Sequence, residues 1–118
     1  MRTYHKKSEF YCQCHCGLCF SDMDMAFILD LNIARGYAKV PFNFTSTIRC
    51  EKHNKDVGGS DTSSHLIGCA ADIEAKTSHI RYRILYGLMK AGITRFKIYP
   101  IFIHADKDPN KPKELISI

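Results

Sequence analysis

No stretch constrains the fold of this chain more than Ser63-Ser64-His65-Leu66-Ile67-Gly68-Cys69-Ala70-Ala71-Asp72, which sets a histidine and an aspartate seven residues apart around a glycine. On a regular helix seven residues is two turns and about 10 Å of rise, so one helix cannot aim both side chains at a common point. The two converge only if the chain turns back over Leu66 to Cys69 and returns as a strand bearing Asp72. Gly68 permits that turn, and Ala70 and Ala71 leave space beside it. A second apolar run, Phe102-Ile103-His104-Ala105-Asp106, alternates as a strand, with Phe102, His104 and Asp106 on one face. From a neighbouring strand of the same sheet, His104 would complete a set with His65 and Asp72. Two neutral imidazoles and a carboxylate are three ligands for Zn2+ with an open fourth position, which is the pattern of a catalytic site. Water held there titrates near neutrality while the metal polarises a carbonyl, and amide hydrolysis is the natural use. Taken singly, His104 reads as a hydrogen-bonded strand histidine and Asp72 as a turn cap; it is their combination that points to metal.

The chain has 118 residues, enough for one domain with a real core and little room for a second, so residues 1–118 are expected to form one unit. No run reaches the length of a membrane span, since Asp22, Asp24 and Asp30 interrupt the most apolar helical stretch. The basic N-terminus, Met1 to Lys7, is not followed by an apolar core, so no secretory signal is read. The net charge is +5, but the cations are dispersed and aromatics do not interleave with them, which argues against nucleic-acid binding. A mild attraction to an anionic polymer such as a cell wall is compatible with that charge.

Helical spacing from Asp22 to about Tyr37 involves Met25, Ala26, Ile28, Leu29 and Ile33, with Ser21 or Asp22 as N-cap and Gly36 as terminator. Phe42 to Ile48 alternates as a strand, Arg49 stands at its end, and Cys50 to Lys55 reads as a short helix. Gly58 to Ser64 is a loop by composition, and a strand is expected around Ala70 to Ile73. Thr77-Ser78 caps a second long helix with Ile80, Ile84, Leu85, Leu88 and Met89 on one face and Gly92 just past its end. Arg95 to Tyr99 and Ile101 to Asp106 are strand-like on either side of Pro100, and Lys107 to Pro112 is a polar turn. Strands and helices mix without βαβ alternation, so the expected class is α+β: a small, mainly antiparallel sheet with helices packed on one side.

Four of the six cysteines, Cys12, Cys14, Cys16 and Cys19, crowd a turn at about residues 10–20, with His15 among them. Some of them would suit a second, structural zinc; equally, they would make a turn of buried or reactive thiols, because CxC spacing strains a tetrahedral chelate. His5, His53 and His79 have no such context and read as solvated or supporting residues.

Ser63 to Asp72 fits SxHxxGxAxD at every specified position, and in this it resembles the zinc D-alanyl-D-alanine carboxypeptidases of bacteria and phages, in the superfamily that includes the Hedgehog signalling domain. Phe44 to Cys50, His53-Asn54 and Val57-Gly58-Gly59 are similar to that family's upstream strand, arginine and glycine loop. Phe102 to Asp106 is similar to its final ligand strand, and Phe10 to Gly17 to the cysteine-rich start of short phage-type members. The resemblance implies a Hedgehog/DD-peptidase-like fold, zinc held by His65, Asp72 and His104, and a peptidoglycan stem peptide as substrate. It also implies that Arg49 faces the site, where a guanidinium can hold a substrate carboxylate or the developing oxyanion. Ser63, two residues before His65, would bind substrate or orient the ligand loop, with a loop-capping hydroxyl as the alternative. The family's acid or histidine before the last ligand is replaced here by Ile101 and Tyr99. Asp106, on the face of His104, is the leading internal candidate for the general base, with orientation of the ligand as its rival role; Asp61, Glu74 and His79 are reserves.

The expectation is therefore a monomeric zinc peptidase cutting peptidoglycan at D-alanine, with an endolysin-type endopeptidase or a zinc-stabilised binding module without turnover as alternatives. Made in a bacterial or phage-infected cytoplasm, it would meet the wall on a virion or at lysis.

Overall fold

A computed structural model describes residues 2–117 of the chain. Among these residues three α-helices and five strands form an α+β fold: α1 (Met25–Ala38), β1 (Phe44–Ser46), α2 (Glu51–Asp56), β2 (Ala70–Glu74), α3 (Ser78–Lys90), β3 (Arg95–Ile98), β4 (Phe102–Asp106) and β5 (Glu114–Ser117). The sheet order is β1-β2-β4-β3-β5. Three neighbouring pairs are antiparallel, and β5 joins the edge parallel to β3, so the sheet is mixed. β5 was not anticipated. Four residues are too few to display a period, and the strand is fixed by pairing with β3 and by the Arg95 guanidinium, which binds the Pro112 carbonyl and Glu114.

Register divides the sheet into two chemically distinct faces. Ala71 lies opposite Ala105 and Ile73 opposite Ile103 on β2 and β4, while Phe96 and Ile98 of β3 face the same two β4 residues. This apolar row joins one core with Phe27, Ile28, Leu31, Ala34 and Ala38 of α1 and Ile84 and Leu88 of α3. Because strand side chains alternate, the intervening residues point the other way: Asp72 beside His104 beside Lys97, and Ala70 beside Asp106 beside Arg95. The helices cover the first row, leaving the second to line a cleft.

The helix boundaries follow from local chemistry that differs in places from the sequence expectation. Asp24, rather than Ser21 or Asp22, caps α1 by accepting from the Phe27 N–H at 3.0 Å. The helix runs through Gly36, which faces the Tyr4 ring, and stops at Lys39 in the left-handed region. Its buried stripe is centred on Phe27, Leu31 and Ala34, whereas Met25 and Leu29 are half exposed. On α3, Thr77 caps as expected and Ile84 and Leu88 are buried, but Met89 is exposed. α3 docks on α1 so closely that a Cβ on Gly87 would lie 2.3 Å from the Ala34 carbonyl oxygen. Arg83 secures the pair, donating to the Ala38 and Tyr37 carbonyls, both at 2.9 Å, at the carbonyl end of α1. His5 is not solvated. Its imidazole packs among Phe10, Phe42 and Phe44, and burial lowers its pKa against the pull of Glu9.

Gly68 ties the cleft to this helical layer. It takes φ +71°, and a Cβ there would lie 2.4 Å from the Asp22 carbonyl oxygen. The Gly68 carbonyl in turn accepts the Asp24 N–H at 2.8 Å, so the start of α1 rests on the turn preceding β2.

Candidate metal centre

His65 lies on a single 3-10 turn, Ser64–Ile67, that opens directly into β2. Ser63 caps this turn, its hydroxyl accepting the His65 N–H at 3.3 Å, which is the loop-capping alternative considered above; Ser63 also borders the cleft. The three residues expected to converge do so. His65 Nε2 lies 3.2 Å and His104 Nδ1 2.9 Å from Asp72 Oδ1, and one donor atom of each residue falls within 4.8 Å of the others. They stand at the wall of a cavity of about 560 Å³.

The far side of each imidazole determines what the near side can do. His65 Nδ1 is 2.6 Å from the Thr47 carbonyl, which can only accept, so this nitrogen carries the proton and Nε2 presents a lone pair. His104 Nε2 is 2.8 Å from Asp106 Oδ2, so its proton sits there and Nδ1 faces Asp72. In those tautomers two imidazole lone pairs and a carboxylate point at one another, an arrangement that repels unless a metal ion, or protons on the imidazoles, lie between. With zinc–ligand distances of about 2.0–2.2 Å, a tetrahedral site has ligand–ligand edges of about 3.4 Å, close to the spacings seen here. The donor set fits zinc.

Charge in this cluster is tightly coupled. Without a metal ion, protons on the two imidazoles take its place: burial works against ionising Asp72, yet hydrogen bonds from His104 and His65 and their charges outweigh it and hold the carboxyl far below its ordinary range. Burial likewise opposes a charge on His104, but Asp106 and Asp72 overcome it and raise its pKa. For Asp106 the burial penalty is outweighed by His104, the Asp108 N–H and Arg95, and its pKa is lowered.

Asp106 lies on the far side of the His104 ring from Asp72. It is 1% exposed, accepts Arg95 Nε at 2.7 Å and the Asp108 N–H at 3.1 Å, and turns its other oxygen to His104 Nε2. This geometry matches the orienting alternative, since a carboxylate on the distal imidazole nitrogen fixes the tautomer of a metal-bound histidine. The reserves for the general base do not come to the cleft. Asp61 and His79 are exposed and do not line it, and Glu74 pairs with Lys76 at 3.7 Å.

Arg49 faces the site as expected. Its Nη2 is 3.7 Å from Asp72 Oδ2, and its fork is held by Ser46 Oγ at 3.2 and 3.3 Å and by Asn54 Oδ1 at 2.9 Å. Asn54 is buried and also donates to the Ser60 carbonyl at 2.8 Å, joining α2 to the glycine loop. A Cβ on Gly59 would sit 2.1 Å from Asn54 Oδ1, so that loop closes over the amide only with glycine. The sequence reading quoted Asn54 and Gly59 within the resemblance but gave them no role. It also missed Arg95 and Lys97, whose signal was available in the alternation of β3: both occupy the face opposite Phe96 and Ile98. Of the four crowded cysteines, Cys12, Cys14 and Cys16 lie together, joined by Cys50, while the Cys19 thiol contacts Ser21.

A His/Asp/His cluster on one face of a small mixed sheet is the donor set of a candidate metal-dependent hydrolase site. The family comparison agrees: the model for Peptidase M15 matches residues 3–106, and the chain belongs to that family of zinc-dependent peptidases. No curated protein matches the chain.

Proposed function

We propose that this protein is a zinc carboxypeptidase acting on peptidoglycan stem peptides, with a terminal D-Ala-D-Ala bond as the preferred target. The observation that carries this reading is the cation arrangement in the cleft. Lys97 lies level with His104 across the β3–β4 pair, lines the same cavity, and has no ion-pair partner among the described residues. Arg49 approaches Asp72 from the other side of the metal ligands. A peptide ending in a free carboxylate one residue beyond the scissile bond offers one anion to such a cleft, and charge-assisted hydrogen bonds to it orient the substrate.

In this mechanism His65 Nε2, Asp72 and His104 Nδ1 would hold a zinc ion, which when bound would supply an activated water and a Lewis acid for the scissile carbonyl. Arg49, braced by Ser46 and Asn54, donates to the carbonyl oxygen as negative charge develops there. Lys97 takes the terminal carboxylate. Asp106 keeps the His104 Nε2 proton in place and so keeps Nδ1 available to the metal, acting through the histidine rather than on the substrate.

Digestion of defined muropeptides with zinc-loaded protein, products weighed by mass spectrometry, tests the reading. Loss of the terminal D-alanine is expected, with Lys97→Met raising KM and leaving zinc content unchanged. Cleavage within a stem or cross-bridge, insensitive to amidation of the terminal carboxylate, would instead indicate an endolysin-type endopeptidase. Saturating zinc with no cleavage at all would indicate a binding module.

A further inference from the structure

The cysteine-rich turn takes no part in the His/Asp/His centre, yet its geometry is too specific for a set of unrelated thiols. Tyr11 and Cys19 form an antiparallel bridge that closes the turn, and within it Cys12 donates its N–H to the Leu18 carbonyl at 3.0 Å. His15 at φ 60° and Gly17 at φ 107° both occupy the left-handed region. These two residues follow Cys14 and Cys16, and reversing the backbone there brings both thiols to the same side as Cys12, which relieves the strain that CxC spacing otherwise imposes on a shared ligand. The fourth thiol comes from far along the chain. Cys50 caps α2, its sulfur accepting the His53 N–H at 3.3 Å. Cys12 Sγ is 3.4 Å from Cys14 Sγ, Cys14 Sγ is 3.6 Å from Cys50 Sγ, and all four sulfurs lie within 4.8 Å of one another.

We propose that Cys12, Cys14, Cys16 and Cys50 bind a structural zinc ion, at a site separate from the peptidase centre. A zinc–sulfur distance of about 2.3 Å gives a tetrahedral sulfur–sulfur edge of about 3.8 Å, and the observed spacings need only small adjustment to reach it. Four thiolates leave no open position, so this zinc holds structure and does no chemistry. Cys19, whose thiol lies 3.3 Å from Ser21 Oγ, is not a ligand. What the ion would hold is functionally pointed: Cys50 directly follows Arg49 and begins the helix that carries Asn54, so the metal would clamp the N-terminal turn to the segment that presents the guanidinium.

Metal analysis of the full chain purified under reducing conditions should give about two zinc ions per chain. The double variant Cys14→Ser/Cys16→Ser should give about one, and so should His65→Ala/His104→Ala, by loss of the other ion. Cys19→Ser should keep both. Because removing a ligand could unfold the turn, the wild-type chain supplies a second readout: Cys14, Cys16 and Cys50 should resist a thiol reagent until a chelator is added, while Cys19 reacts at once. Cobalt loaded into the His65→Ala/His104→Ala variant should show the intense thiolate charge-transfer bands of a tetrahedral site. The proposal is overturned by a single zinc with Cys14, Cys16 and Cys50 freely reactive at saturating metal, by disulfides among them in the reduced preparation, or by loss of the second ion in Cys19→Ser. These readouts count metal and thiols, so an inactive chain that still held the thiolate zinc would refute the peptidase reading alone.

Discussion

Replacing Asp106 with asparagine separates the two roles this residue was given. The carboxylate has three partners, His104 Nε2 at 2.8 Å, Arg95 Nε at 2.7 Å and the Asp108 N–H at 3.1 Å, and it is 1% exposed. An amide has one acceptor oxygen and two N–H donors, so it can serve only part of this set, and an N–H turned towards His104 would favour the wrong tautomer. Losing one member of a buried ion pair usually costs about 3–5 kcal/mol. Arg95 keeps the Pro112 carbonyl and Glu114, so its charge is not stranded and a loss of about 2–3 kcal/mol is expected, lowering Tm by about 10 °C. Loss of the carboxylate behind a metal-bound histidine weakens metal binding by about 10–100-fold, or about 1.4–2.7 kcal/mol. Zinc competition against a chromophoric chelator measures the affinity, and thermal denaturation of the chelator-treated protein measures the stability without the contribution of bound metal. If Asp106→Asn bound zinc and melted as the wild type does while losing turnover and one limb of the pH–rate profile, Asp106 would be the proton carrier and the orienting role would be wrong.

Other expectations follow from contacts described above. Arg49→Ala should retain zinc and lower kcat by about 10²–10³-fold, as loss of an oxyanion donor does elsewhere; unchanged kcat at full zinc occupancy would remove Arg49 from the reaction. Gly87→Ala should destabilise by about 1–3 kcal/mol in chemical denaturation, because its Cβ would meet the Ala34 carbonyl, whereas an unaltered midpoint would mean that α1 and α3 part without cost. In chelator-treated protein, the raised pKa of His104 contributes stability below its unfolded pKa and loses it as pH rises through the folded value. The lowered pKa values of Asp72 and Asp106 contribute above the unfolded carboxyl range and lose stability as pH falls. Melting temperature without metal should therefore peak between about pH 4 and 6.5, while zinc affinity, competing with the His104 proton, should rise with pH through neutrality. A metal-free melting curve that climbed steadily from acid to alkaline pH would contradict the assigned contacts.

The convergence of the candidate metal residues and most elements were legible because each rests on local chemistry with a clear period or motif. Gly68 between His65 and Asp72 forecast the reversal, alternation in Phe102 to Asp106 forecast the face of His104, and Thr77 forecast the start of α3. What stayed hidden depends on contacts distant in sequence. Asp24 was not singled out as the cap of α1 over Ser21 or Asp22, and its N–H is fixed by the carbonyl of Gly68. Met25 and Leu29 matched the helical period yet lie outside the stripe that α3 covers. Cys50 looked unrelated to the cysteine turn because nothing local brings residue 50 to residue 14. Alternation placed Asp106 on the face of His104, but it could not show which imidazole nitrogen the carboxylate meets.

The two-faced sheet also acts as a proofreader of its own assembly. Core and candidate metal residues alternate along the same strands, Ile73 beside Asp72 and Ile103 beside His104. A slip of one position in the β2–β4 pairing would present Ile103 to the cleft and drive His104 into the apolar layer, so the error would be registered twice. The slipped chain would lose its core and its metal together, and zinc captured by His65, Asp72 and His104 would certify that the strands had paired correctly.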